Sequence, residues 1–65
     1  MLTFSEARKL AKLRAVDVAN YLGISRGSYW NKENYHRQFN ADELLKFCDC
    51  CKVSPADLRI KGYNY

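Results

Sequence analysis

The sequence predicts an all-α domain of five short helices, and three observations carry that prediction. Apolar residues recur at the i, i+3, i+4 spacing of helices along most of the chain. Capping residues stand ahead of four of these stripes, three of them with an acidic residue or a proline at the offset that helix starts favour. No segment shows the alternation of a strand.

The first helix, residues 4–13, opens with Thr3 and Glu6 in the form of a capping box, and Phe4, Ala7, Leu10 and Ala11 follow at helical spacing. Arg8 projects into the same sector, and a charge in an apolar stripe needs a partner. The second helix, 15–22, carries Val18 and Leu22, or Val16, Ala19 and Leu22, on one side and ends at Gly23, a residue suited to a left-handed stop. Between the two, Leu13, Arg14 and Ala15 include no Gly, Pro or ordinary cap, and positions 4, 7, 11, 15, 18 and 22 make one unbroken stripe. Local signals therefore leave a single long helix open.

Ser25 can cap a third helix, 26–34, on which Arg26, Gly27, Trp30, Asn31 and Asn34 span roughly 140° of one side. Ser28, Tyr29 and Lys32 lie on the other. Asn40 with Glu43 starts the fourth, 41–51, and Leu44, Phe47, Cys48 and Cys51 form its inward stripe. Ser54, Pro55 and Asp57 start a fifth, 55–61, which Gly62 can end.

Composition narrows the function. Sixty-five residues, 48% of them apolar and 28% charged, make one soluble globular domain covering 1–65. A chain of this size hides only about 60% of its unfolded surface, so a large internal active-site cavity is not expected. Eleven Lys and Arg against seven Asp and Glu leave +4, a bias toward polyanionic partners. Cys48, Cys50 and Cys51 are too few and too crowded for a secreted disulfide framework and predict a reducing cytosol. They also fall short of the four ligands structural zinc wants, so neither a metal nor a cofactor is expected. Cys48 and Cys51 read as small core fillers, and Cys50 as an outward, reactive thiol. The N-terminal run MLTFSEARKLAK has no apolar stretch, which predicts neither a signal peptide nor a membrane span. One His, no Gly-rich phosphate loop and no Ser with an evident base argue against an enzyme, so no catalytic residue is assigned. Asp42 and Lys46 read as an i, i+4 surface pair.

Two helices joined by a short turn containing Gly have the plan of a helix-turn-helix. The run DVANYLGISRGSYWNKEN followed by FNADELLKFCDCCKVSPADL resembles the DNA-binding domain of the lambda-type phage repressor and Cro family, the Xre-like family, without a gap over residues 8–58. The matching points are Arg8, Leu13, Ala19, Leu22, Gly23, Ser25, Glu33, Leu44, Leu45, Val53, Ser54 and Leu58. This resemblance implies a five-helix lambda-repressor-like fold, with a break between the first two helices and an ion pair between Arg8 and Glu33. The chain departs from the family pattern at four positions. Arg14 stands where Ser or Thr is usual, Ala15 where Gln is, Lys32 where the position is often apolar, and Tyr35 where Gly often follows the glutamate.

The same resemblance makes helix 26–34 the recognition helix, entering the major groove of double-stranded DNA. Arg26 would fork onto guanine, Asn31 would pair with adenine, Ser28 would add a single bond, Gly27 would permit close approach, and Trp30 would pack on a thymine methyl or a sugar. Phosphates would be held by Arg14, Ser25, Asn34, His36 and Arg37. A homodimer is expected through the last helix and tail, where Leu58, Ile60, Tyr63 and Tyr65 supply apolar surface. The implied protein is a Cro-type regulator of the bacterial cytosol or nucleoid, of the kind phages encode, without the separate C-terminal domain of larger repressors. A second reading stays open: a helix-turn-helix scaffold that binds a partner repressor as an anti-repressor, favoured by Ala15, Trp30, Tyr35 and the modest charge.

Overall fold

A computed structural model describes residues 1–60 as four α-helices and one 3-10 turn. The helices are α1 (Phe4–Leu10), α2 (Ala15–Leu22), α3 (Arg26–Glu33) and α4 (Ala41–Cys51), and the turn is Pro55–Asp57. The all-α class is observed; the one pairing of extended backbone among the described residues is a parallel bridge between Leu2 and Leu58.

Helix starts follow the caps written in the sequence. Thr3 Oγ1 accepts from the Glu6 N–H at 3.1 Å while the Glu6 carboxylate accepts from the Thr3 N–H at 2.8 Å. Asn40 and Glu43 make the same reciprocal pair at 2.8 and 3.1 Å. α2 lacks an ordinary cap, and Asp17 compensates by accepting from the Arg14 N–H at 3.1 Å. Each pairing satisfies a backbone donor that the first helical turn leaves without an intrahelical partner.

Helix stops share one geometry. After each helix a residue takes the left-handed conformation: Lys12 (φ 60°), Gly23 (φ 75°), Tyr35 (φ 65°) and Lys52 (φ 55°). The next N–H then reaches back into the last turn: Leu13 to the Arg8 carbonyl, Ile24 to Ala19, His36 to Asn31 and Val53 to Cys48. This is the Schellman closure, and glycine, which suits it best, occupies one of the four sites.

The third helix ends at Glu33, with Asn34 as its cap, and two boundaries correct the sequence reading by more than one residue. The first helix ends at Leu10 rather than residue 13, which also excludes the single long helix across Leu13 to Val16. Lys12 turns left-handed there, and Arg8 Nη1 donates to the Leu13 carbonyl at 2.9 Å, so tertiary bonding completes a break that no local residue demands. The fifth helix is absent from the described residues, which hold a three-residue 3-10 turn in its place. Leu2 N–H takes the Asp57 carbonyl at 2.8 Å and Arg59 N–H donates to the Leu2 carbonyl at 2.7 Å. Leu58 is thereby drawn into extended conformation (φ −99°, ψ 142°) with its side chain in the core, and an α-helix cannot continue through it.

The core lies where α2 packs on both α3 and α4 and α1 packs on α4. Phe4, Phe39 and Phe47 meet there with ring centroids 4.7 to 5.7 Å apart, and Tyr29 joins Phe39 at 6.2 Å. Burying one such ring contributes roughly 1.5–3 kcal/mol, which makes this cluster a main source of cohesion in a small chain. Ala19 is fully buried on α2, where a close-packed interior leaves little room for a larger side chain.

Candidate nucleic-acid interface

The outward side of α3 is set by its own cap and its own stop. Ser25 Oγ accepts from the Ser28 N–H at 3.1 Å, which starts the helix three residues after α2 and leaves Arg26 and Gly27 exposed in its first turn. Tyr29 and Glu33, one turn apart, are buried, so the opposite side faces solvent. Trp30 is 56% exposed there, Asn34 is exposed, and Ser28 and Asn31 are half-buried. A Cβ at Gly27 would meet nothing within 4 Å. Packing does not demand glycine at that position, whereas a partner approaching the backbone would benefit from it.

At the other end, the Asn31 carbonyl accepts from the His36 N–H at 2.8 Å and the Arg37 N–H at 3.2 Å, and Asn34 Nδ2 donates to the Trp30 carbonyl at 2.9 Å. These bonds fold residues 34–37 back against α3. The His36 imidazole stacks on the Trp30 indole, centroids 5.4 Å apart and planes 18° from parallel. Trp30, Asn31, Asn34, His36 and Arg37 are therefore brought together as one surface.

Charge on this surface is of one sign. Between Val18 and Ala41 the chain carries a single acid, Glu33, and Arg8 neutralises it through Nε at 2.8 Å and Nη2 at 3.2 Å. Arg26 and Arg37 are exposed and form no ion pair among the described residues. An exposed helix side with cations and no free acid attracts a polyanion. Arg14, by contrast, is held by Asp17 through Nε and Nη2 at 3.1 and 3.2 Å, and no hydrogen bond or ion pair among the described residues links it to α3.

Behind α3, the expected Arg8–Glu33 pair is present and bidentate, with the side chains 14% and 7% exposed. Tyr29 donates its hydroxyl to the same carboxylate. Burial pulls the Glu33 carboxyl up, but the hydrogen bonds from Arg8 and Tyr29 outweigh it and hold the group below its ordinary range. The Tyr29 phenol is pushed well above its ordinary value, chiefly by burial and then by its bond to Glu33. A second clamp was not foreseen: Lys32 Nζ lies 2.5 Å from Glu43 Oε1, tying α3 to the start of α4. The polar residue at a position often apolar in the resembled family was its signal, but the partner's position depends on the loop between the helices.

Several expectations need correction. Leu58 is 3% exposed and packed in the core, so it cannot supply dimer surface, and Ile60 is half-buried against that core. Tyr63 and Tyr65 lie outside the described residues. Cys50 is half-buried rather than outward. Burial raises its thiol, and that of Cys51 is pushed up to about 12 by the same cause, so both stay protonated at neutral pH and are poor nucleophiles. The two line an open apolar cleft of about 410 Å³ with Leu10, Leu13 and Val53.

No family model, curated protein or solved structure matches this chain. No helix of the described residues is long and apolar enough to cross a membrane.

Proposed function

We propose that this protein is a sequence-specific DNA-binding transcriptional regulator of the helix-turn-helix type, akin to phage repressors and Cro, with α3 as the recognition helix. The observation that carries the reading is the outward side of α3, exposed and free of acid, anchored from behind by Arg8 and Glu33. The three-residue turn between α2 and α3, with Gly23 left-handed, supports the motif. In this reading Arg26, Gly27, Ser28, Trp30 and Asn31 meet base edges, while Ser25, Asn34, His36 and Arg37 meet phosphates. Arg14 reaches phosphate only by leaving Asp17. Two copies bind half-sites about 34 Å apart, since one short helix touches too few base pairs for useful specificity.

Retardation of random duplex DNA at two salt concentrations tests the reading. Binding should weaken steeply with salt, with a log-log slope near −0.9 per phosphate neutralised. On a sequence selected from a random pool, Arg26→Ala should relax preference at one base position, and Arg37→Ala should weaken all sequences alike. Absence of retardation at low salt overturns DNA binding. It would favour a scaffold that binds a partner repressor, for which the exposed Trp30 indole is a suitable contact.

A further inference from the structure

Trp30 is the feature of this surface that base and phosphate hydrogen bonding leaves unused. Its indole is a large apolar group, 56% exposed in the middle of an otherwise polar helix side, one turn beyond Arg26 and adjacent in sequence to Asn31. It is also held in place. The left-handed Tyr35 turns the chain, the Asn31 carbonyl captures the His36 N–H, and the imidazole is laid against the indole at 5.4 Å. At the stops of α1, α2 and α4 the residue in the position of His36 is apolar and partly buried: Leu13, Ile24 and Val53. At α3 it is an exposed imidazole stacked on an exposed ring, so here the residue after the left-handed turn braces the indole instead of entering the core.

In the major groove one base edge offers an apolar group, the 5-methyl of thymine. We propose that Trp30, positioned by His36, recognises this methyl group, so that the protein distinguishes thymine from uracil within its binding site. Covering a methyl-sized group removes it from water, and a contribution of about 0.8 kcal/mol corresponds to about a four-fold change in affinity. Arg26 and Asn31 would read the hydrogen-bonding edges of guanine and adenine, which are the same whether a strand carries thymine or uracil, so neither can make this distinction.

The inference rests on the proposed DNA binding, and the experiment separates the two. Duplexes recovered by selection from a random pool are resynthesised with deoxyuridine in place of thymidine, and affinities for both forms are measured with the wild type, Trp30→Ala, Trp30→Phe and His36→Ala. Circular dichroism checks that each variant is folded. The wild type should bind the thymine form about four-fold more tightly for each methyl covered. Trp30→Ala should bring the ratio close to one, Trp30→Phe should keep part of it, and His36→Ala should lower it by loosening the ring. Equal affinity of the wild type for both forms, a selected core without thymine, or an undiminished ratio in Trp30→Ala overturns the inference and leaves DNA binding standing. Failure to bind either form overturns both.

Discussion

Arg8 joins three parts of the molecule at once: its guanidinium holds Glu33 of α3 and the carbonyl of Leu13, where the chain turns between α1 and α2. Removing it leaves a mostly buried carboxylate with only the hydroxyls of Tyr29 and, more weakly, Ser5 to support it, and frees the turn. Arg8→Ala should cost about 3 kcal/mol, lowering the melting temperature by more than about 10 °C in a chain this small, as calorimetry or thermal circular dichroism would read. Acid should act on the same contacts. Glu33 is held below its ordinary range, and so is Glu43, where the bonds from Lys32 and Asn40 outweigh burial. A carboxylate depressed in the folded state adds stability above the unfolded value of about 4.3 and loses it as pH falls further. Urea midpoints should therefore be flat near neutrality and drop below about pH 4, with a shallower drop in Glu43→Gln. At the alkaline end, Tyr29 and Cys51 titrate more easily in the unfolded chain, so stability should fall again above about pH 9.

Among the elements, the four stops share one backbone geometry and differ in the residue that takes positive φ. A side chain there costs on the order of 1 kcal/mol relative to glycine, because Cβ crowds the carbonyl. Lys12 and Lys52 are exposed, so Lys12→Gly and Lys52→Gly should each stabilise the protein by about 0.5–1 kcal/mol in denaturant titrations. Gly23→Ala should cost about 1 kcal/mol through φ alone, since a Cβ there meets nothing within 4 Å. Tyr35 should behave in the opposite way to the lysines. Its ring contacts Phe4 at 5.2 Å and lies beneath the Arg59 guanidinium at 4.4 Å, so Tyr35→Gly should destabilise despite relieving the backbone.

At the scale of the whole molecule, the segment after α4 closes the fold by pairing with its beginning. Leu58 is buried and its neighbours bond to Leu2, so Leu58→Ala should cost about 2–5 kcal/mol while leaving the association state seen in light scattering unchanged. A shift in association with stability intact would return Leu58 to an interface role. Much of this architecture was legible in the order of residues. Thr3 with Glu6, Ser25, and Asn40 with Glu43 cap their helices as their spacing requires, and the side of α3 bearing Arg26, Trp30 and Asn34 does face outward. Glu33 as the partner that Arg8 needs came only with the family resemblance. The Lys32–Glu43 clamp and the Trp30–His36 stack were not legible, because each depends on how a loop folds back.

What the sequence determined by itself is therefore local. A cap, an apolar stripe and an outward face follow from interactions within one or two helical turns, where chain geometry sets the distances. The tertiary structure alone decided where α1 breaks and why residues beyond Asp57 abandon the helix. At Leu13 the deciding bond comes from a guanidinium oriented by Glu33, and at Leu58 it comes from Leu2 at the far end of the chain. Neither segment carries a local signal strong enough to oppose hydrogen bonds that depend on distant residues, Glu33 in the one case and Leu2 in the other, and a backbone group near the core takes whichever partner keeps it satisfied.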